Sequence, residues 1–263
     1  MSSIITLLTD FGQVDSYVAQ MKAVILSLAP GTQVVDISHS VVKHDVAMGS
    51  FHLETTVPYF PSGTVHVAVV DPGVGGPRLP IVIECERGVL VGPDNGLLVG
   101  AAGRLGFRSA YRIENRLFMG NQVTPTFHGR DVFATTAARI AGTRKPRDAG
   151  RKVAKLVHLE QMLSVVAKNH VSSNVLYIDS FGNIVTNVPE GNLRKLIHGR
   201  NARLTTKEGS NDCPVVTTYS EIPRGKIGIL MGSQGYLEVA MRESSAADKL
   251  GLRVRDRLDL FFS

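Results

Sequence analysis

The apolar positions of this chain follow two rhythms. Up to about residue 141, short β-branched runs alternate with stretches in which apolar residues recur every three to four positions. Residues 4–8 read as a buried strand. After a loop at 9–14, Asp15 or Ser16 is placed to cap a helix. Its residues Val18, Met21, Val24, Ile25 and Leu28 fall at helical spacing, and Pro30-Gly31 stops it. Residues 33–37 predict a second strand, 45–57 a helix, 64–70 a strand, and 81–85 with 89–91 a strand pair. Residues 131–141 predict a last helix, capped by Asp131. Strands alternating with helices predict a layered α/β domain with a largely parallel sheet.

From about Ser172 onward the rhythm changes to short strands separated by turn residues, at 174–178, 184–188, 202–206, 215–218, 227–230, 236–240 and 258–262. Many short strands without helices between them predict a small all-β barrel or sandwich. The chain is therefore expected to form an N-terminal α/β domain over residues 1–160 and a C-terminal β-barrel domain over 171–263, with 161–170 as a linker.

With 263 residues, 43% of them hydrophobic, the chain can bury a substantial core. No apolar run approaches the roughly 20 residues a membrane span needs, so no membrane partner is expected. Residues 1–8 lack the basic flank and long apolar stretch of a secretory signal, and the two cysteines, Cys85 and Cys213, have neither disulfide nor zinc spacing. A cytoplasmic protein fits. The net charge of +6 raises the question of nucleic acid. However, Arg144, Lys145, Arg147, Arg151 and Lys152 alternate with Gly, Pro and Ala and have no aromatic residue for base stacking, which predicts a solvated linker and no nucleic-acid partner.

Chemistry is expected where an open parallel sheet binds ligands, outside the carboxyl ends of its strands. Asp10 follows the first strand, Asp71 opens Asp71-Pro72-Gly73-Val74-Gly75-Gly76 after the third, and Asp94-Asn95-Gly96 follows the strand pair. Phe127-His128-Gly129-Arg130-Asp131 adds an imidazole at a loop-to-helix junction. Each has a bland reading. Asp-Asn-Gly is a turn former, the glycines after Asp71 lack the Lys-Ser/Thr of a phosphate loop, and a lone His beside a helix cap is commonly structural. His39, His44, His52 and His66 read as structural or surface residues. In the second half, Asp179-Ser180-Phe181-Gly182-Asn183 offers a carboxylate, an aromatic face and an amide within one turn, and Gly232-Ser233-Gln234-Gly235-Tyr236 forms another Gly-rich bend. Asp10, Asp36, Asp71 and His128 together could also ligate a divalent ion, so a metal-dependent phosphoesterase stays open.

Taken in order, these segments resemble the S-adenosylmethionine (SAM) hydroxide adenosyltransferase family, hydrolytic relatives of fluorinase and chlorinase. The matching stretches are Thr9-Asp10-Phe11-Gly12, Val18-Ala19-Gln20, Val35-Asp36-Ile37-Ser38-His39, Asp71-Pro72-Gly73-Val74-Gly75 and Gly92-Pro93-Asp94-Asn95-Gly96. They continue with Phe127-His128-Gly129-Arg130-Asp131, Phe181-Gly182-Asn183-Ile184-Val185-Thr186-Asn187 and Gly235-Tyr236-Leu237-Glu238, nearly the whole chain.

The resemblance implies a homotrimer, with each site between the first domain of one subunit and the barrel of its neighbour. It implies that Asp10 holds the ribose hydroxyls, that Asp15, Asp179 and Ser233 face the methionine end, and that Phe181 and Asn183 bracket the adenine, with Tyr219 as a second aromatic wall. Asn95 matches a pocket position of unassigned role. Where fluorinase has an arginine after the serine matching Ser233, this chain has Gln234. Asp71, Arg78 and His128 match the family's hydrolytic triad. The implied reaction is hydrolysis of SAM to adenosine and methionine by in-line attack of water at C5′. Asp71 takes a proton or hydrogen bond from the water, Arg78 pairs with and orients Asp71, and His128 completes the water's hydrogen bonds. No cofactor or metal is expected. A SAM or adenosine sensor without turnover is the remaining alternative.

Overall fold

A computed structural model of the chain describes residues 3–142, 145–160, 164–191, 193, 197 and 200–263. The chain divides into two compact units, Met1–Leu159 and Glu160–Ser263.

The first unit contains β1 (Ile4–Thr9), α1 (Tyr17–Leu28), β2 (Gln33–Ser38), α2 (Val46–Thr56), β3 (Thr64–Val69), β4 (Pro80–Cys85), β5 (Gly88–Pro93), α3 (Val99–Leu105), β6 (Phe107–Arg112), α4 (Thr135–Gly142) and β7 (Lys152–Val153). The strands form one sheet in the order β2-β1-β3-β5-β4-β6-β7. Pairing is parallel from β2 to β5 and antiparallel from β5 to β7.

The two-residue period of a strand sorts its side chains between two cores. Val65, Val67 and Val69 of β3 join Ile5, Leu7, Met21, Ile25, Ala137 and Ala138 on the α1 and α4 face. Ala68 and Val70 point the other way, to Leu8, Leu53 and Ala101 on the α2 and α3 face. A sheet buried on both faces explains why β3 is buried at every position.

From β1 the chain crosses to β2 on one side and then to β3 on the other, so the crevice between the carboxyl ends of β1 and β3 is a topological switch point. Asp10 immediately follows β1, and Asp71 lies two residues beyond β3.

Three expectations need correction. Asp131 does not cap the last helix of this unit, because a π-helical turn at Gly129–Ala134 precedes α4. Asp131 sits inside that turn, with its carboxylate taken by Thr124 and Arg130. Where it is described, the basic stretch is not a free linker either: Ala149 is fully buried, and β7 pairs with β6. Arg144 and residues 161–163 of the expected linker lie outside the described residues.

The second unit is antiparallel throughout its ladders: β8 (Val165–Val166), β9 (His170–Ile178), β10 (Ile184–Pro189), β11 (Asn201–Thr206), β12 (Gly209–Pro214), β13 (Ile227–Met231), β14 (Tyr236–Met241), a short α5 (Ala246–Leu250) and β15 (Arg257–Phe262). The strand path runs β12-β11-β15-β9-β10-β14-β13, with β8 on β9. Val215, just past β12, bridges to Ile229 of β13, which brings the two ends of the path together as a near-barrel. The strand expected at 215–218 is the third correction. Its place is taken by β12 in the polar run Gly-Ser-Asn-Asp-Cys-Pro, where Cys213 alone is fully buried and apolar periodicity has nothing to register. Both cysteines are unpaired and buried, which pushes their thiols up to about 12 for Cys85 and about 11 for Cys213.

Candidate functional site

The loop after β3 folds back on itself through two successive turns, Val74 N to Asp71 O (3.2 Å) and Gly76 N to Gly73 O (3.0 Å). Gly75 is required here: its φ is +76°, and a Cβ would lie 2.7 Å from the Pro125 carbonyl oxygen. The reversal returns Arg78 to Asp71. Arg78 Nε donates to both carboxylate oxygens, at 2.9 and 3.1 Å, and Nη2 donates to Oδ2 as well. Nη2 also lies 2.8 Å from His128 Nδ1. Because a guanidinium only donates, His128 Nδ1 must accept, so the ring is neutral and carries its proton on Nε2. Burial, and then the neighbouring Arg78 charge, hold the His128 pKa below the ordinary imidazole value, in agreement with that tautomer. The Arg78 guanidinium lies 5.4 Å from the centre of the buried Phe133 ring. The Asp71 and Arg78 side chains are 4% and 10% exposed, so this is a nearly desolvated ion pair.

Asp71 and His128 open onto a cavity of about 190 Å³, lined otherwise by Phe11, Tyr17, Val69, Val74, Thr126, Phe127 and Gly129. Phe11, Tyr17 and Phe127 meet in mutual ring contacts, with centroids 5.1 to 5.9 Å apart. Liquid water occupies about 30 Å³ per molecule, so this space suits a few waters or one edge of a ligand.

The structure does not bring Asp10, Asp15 or Asn95 into the lining of either cavity. Asp10 accepts the His44 backbone N–H at 2.9 Å, fixing a residue with φ of +68°. Asp15 is exposed in the loop before α1. Asn95 Nδ2 donates to the Val70 carbonyl at 2.8 Å and its Oδ1 accepts the Leu97 N–H, which pins the backbone just before Asp71. The four candidate metal ligands do not assemble into one cluster. Asp36 pairs with Lys22 and His39, Asp10 lies beside His44, and Asp71 is held by Arg78. Among the described residues no three His, Cys, Asp or Glu side chains come together as a metal-binding group.

In the second unit, Asp179, Phe181, Asn183, Tyr219 and Ser233 line a single cavity of about 790 Å³, together with Gln234, Tyr177, Glu238 and Met241. The 179–183 turn is built by Asp179: its Oδ1 accepts the Phe181 and Asn183 N–H groups at 2.9 and 2.8 Å, and its Oδ2 accepts Asn183 Nδ2 at 2.9 Å. Gly182 bends the turn at φ of +82° against Ser245. The result is a buried Asn183 and a Phe181 that is 78% exposed, its ring free to stack on a planar ligand.

Glu238 is the residue that the reading of single positions missed. It is 5% exposed within β14, accepts the Tyr219 hydroxyl at 2.7 Å, and is pushed above the usual carboxylate range by burial. A Cβ on Gly232 would overlap its Oε1, so the glycine makes room for this carboxylate. The legible signal was a lone acid in the apolar run Tyr-Leu-Glu-Val-Ala-Met. Phe11 and Phe127, inside matched segments, and Tyr17, just before one, were also not singled out, because an aromatic residue looks the same in sequence whether it packs or lines a cavity.

Comparison with known proteins adds a family to this geometry. The N-terminal domain of the SAM hydroxide adenosyltransferases matches residues 5–150, and the C-terminal domain of the same family matches 173–259. A protein of Salinispora tropica named (R)-S-adenosyl-L-methionine hydrolase is 39% identical, covering 97% of this chain and 96% of its own. A fluorinase of Actinoplanes sp. is 27% identical, covering 95% and 94%. A solved structure of an uncharacterized conserved protein from Thermotoga maritima superposes with a TM-score of 0.90 at 30% identity, covering 98% and 99%.

Proposed function

The chain belongs to the SAM hydroxide adenosyltransferase family, and on that premise we propose that it is a hydrolase cleaving S-adenosyl-L-methionine to adenosine and L-methionine. The relatives' name specifies an (R) configuration, which we assign to the sulfonium centre, so the (R) epimer is the proposed substrate. The observation that carries the reading is the closed array of Asp71, Arg78 and His128 beside a cavity of a few waters' volume.

A water held between Asp71 and His128 Nε2–H attacks C5′ in line with the sulfonium. The O–C5′ bond forms, the C5′–S bond breaks, and sulfur keeps the electron pair as a neutral thioether. The water's proton passes to Asp71 and on to solvent. Because the leaving group is neutral, positioning contributes more than acid catalysis. His128 cannot be the base in this arrangement, since its Nδ1 accepts from Arg78 and its Nε2 already bears a proton. It donates to the water instead. Asp71, moreover, discourages halide as nucleophile, because like charges repel strongly where the effective dielectric is low.

The barrel cavity recognises the nucleoside: Phe181 and Tyr219 offer aromatic faces, and Asn183 and Glu238 offer hydrogen bonds. Asp10 takes the ribose hydroxyls, and Asp15, Asp179 and Ser233 the amino-acid end, with Gln234 in place of fluorinase's arginine. Asn95 acts on the backbone before Asp71. The functional domains are residues 1–160 and 171–263, assembled as a cytoplasmic homotrimer in which one copy's first domain faces its neighbour's barrel. No metal or further cofactor enters the step.

The test is incubation of purified protein with each sulfonium epimer in H₂¹⁸O and chelator, with and without halide. Adenosine carrying ¹⁸O at its 5′ hydroxyl is expected from the (R) epimer. Methylthioadenosine, a 5′-halogenated nucleoside or no product contradicts the reading.

A further inference from the structure

Gln20, Arg130 and Asp131 belong to matched sequence segments yet touch neither cavity, and we propose that Arg130 is a positioning residue that sets the His128 imidazole against Arg78. The inference rests on the proposed hydrolysis for its kinetic consequences only. Arg130 is bound in three directions. Its Nε donates to Asp131 Oδ1 at 2.6 Å and Nη2 to Oδ2 at 3.2 Å, while Nη1 reaches Gln20 Oε1 on α1 at 2.7 Å. Its guanidinium lies 5.0 Å from the centre of the Phe127 ring, the residue before His128.

Asp131 extends the grip. It is 6% exposed, and its Oδ2 also accepts the Thr124 N–H and hydroxyl at 2.9 and 2.7 Å. Burial alone would raise its pKa, but the hydrogen bonds from Arg130 and Thr124 outweigh burial and lower it. Its own N–H returns to the Phe127 carbonyl at 3.2 Å, on the other side of His128.

This bracing has a physical reason. π-Helical turns are rare and occur mostly as single turns joined to α-helices, frequently at functional sites, and this one is tied to its surroundings through Gln20 and Thr124. Here the turn begins at Gly129, where a Cβ would press on Phe11 and Phe127 at 3.2 Å, and it carries His128 at its entrance. A shift of about 1 Å in that entrance would take Nδ1 out of hydrogen-bond range of Arg78 and leave the ring free to change tautomer. Lysine cannot replace this arginine, because one ammonium cannot span both oxygens of Asp131 and Gln20 while covering a ring.

The test combines kinetics with a spectrum. In Arg130→Lys, kcat for adenosine release should fall by about tenfold to a hundredfold while KM stays within about threefold. In a His128→Ala background the same substitution should cost nothing further, because its effect passes through the missing ring. Gln20→Leu, which removes the α1 anchor alone, should give a smaller loss of the same pattern and serves where the lysine variant does not fold. The ¹H–¹⁵N spectrum of the histidine rings should show His128 as the Nε2–H tautomer in the unsubstituted protein and as a tautomer mixture in Arg130→Lys. Losses that multiply with His128→Ala, or a His128 spectrum unchanged by Arg130→Lys, overturn the proposal. If the unsubstituted protein releases no adenosine, the hydrolase reading fails and the spectrum still decides the role of Arg130.

Discussion

Two cavities of this molecule answer opposite problems on the proposed reading. The one in the first unit holds about 190 Å³, and the polar side chains beside it are closed on one another: Asp71 on Arg78, Arg78 on His128. The one in the second unit holds about 790 Å³ and presents open faces, Phe181 at 78% exposure and Tyr219 at 44%. Turning one water on one carbon calls for a few atoms held rigidly away from solvent, whereas recognising a nucleoside calls for area and for hydrogen bonds that a ligand can complete. The difference teaches where each kind of substitution will register. Changes in the first cavity should appear in turnover and stability, and changes in the second should appear in affinity.

The largest effect is expected at Arg78. Arg78→Met strands the nearly buried Asp71 carboxylate without its partner, which should cost about 3–5 kcal/mol of stability as well as turnover. Urea unfolding checks it, and a loss below about 1 kcal/mol would show that the pair is solvated in practice.

Next in size is a pH effect that should distinguish the units. His66 in β3 is buried, and burial holds its pKa down to about 4. Between about 6.5 and 4 the unfolded chain takes up a proton that the folded one refuses. Stability present above about 6.5 is therefore lost as pH falls, up to roughly 3 kcal/mol. Glu238 in the barrel has the opposite sign: its raised pKa contributes stability at low pH that is lost as pH rises. Unfolding free energies measured from pH 7 to 4 should fall, and His66→Gln should flatten that slope. An unchanged slope would refute the assignment to His66.

The smallest effect sharpens the comparison from the other side. Phe181→Ala removes an exposed ring and no core contact, so the thermal midpoint should hold while Kd for SAM rises by about tenfold, the scale of one lost aromatic stack. A fall in kcat at constant Kd would place Phe181 with the chemistry instead.

How much of this was legible in the chain follows from what each element buries. β3, buried at every position between two helical layers and apolar at four of its six, could hardly be read otherwise, and the loop glycines marked where Asp71 would turn. β12 was invisible because it buries little beyond Cys213, and α3 was hidden because Val99–Leu105 contains two glycines and helical spacing over seven residues is weak. At the site, the resemblance supplied the residues of the array and the pairing of Arg78 with Asp71, whereas the Arg78–His128 hydrogen bond needed the fold: nothing in residues 71, 78 and 128 specifies that the same guanidinium also reaches the imidazole. The π-helical turn had no sequence signature either, since Asp131 followed by an apolar run looks like an ordinary cap.

The most direct test of the division between the two cavities is Asp71→Asn, a change of charge with almost no change of shape. Calorimetry and single-turnover chromatography on the same preparation should give a Kd for SAM within about threefold of the unsubstituted protein and a rate of adenosine formation lower by about 10²–10⁴-fold. Undiminished adenosine formation, or a collapse of binding with the residual rate intact, would contradict it.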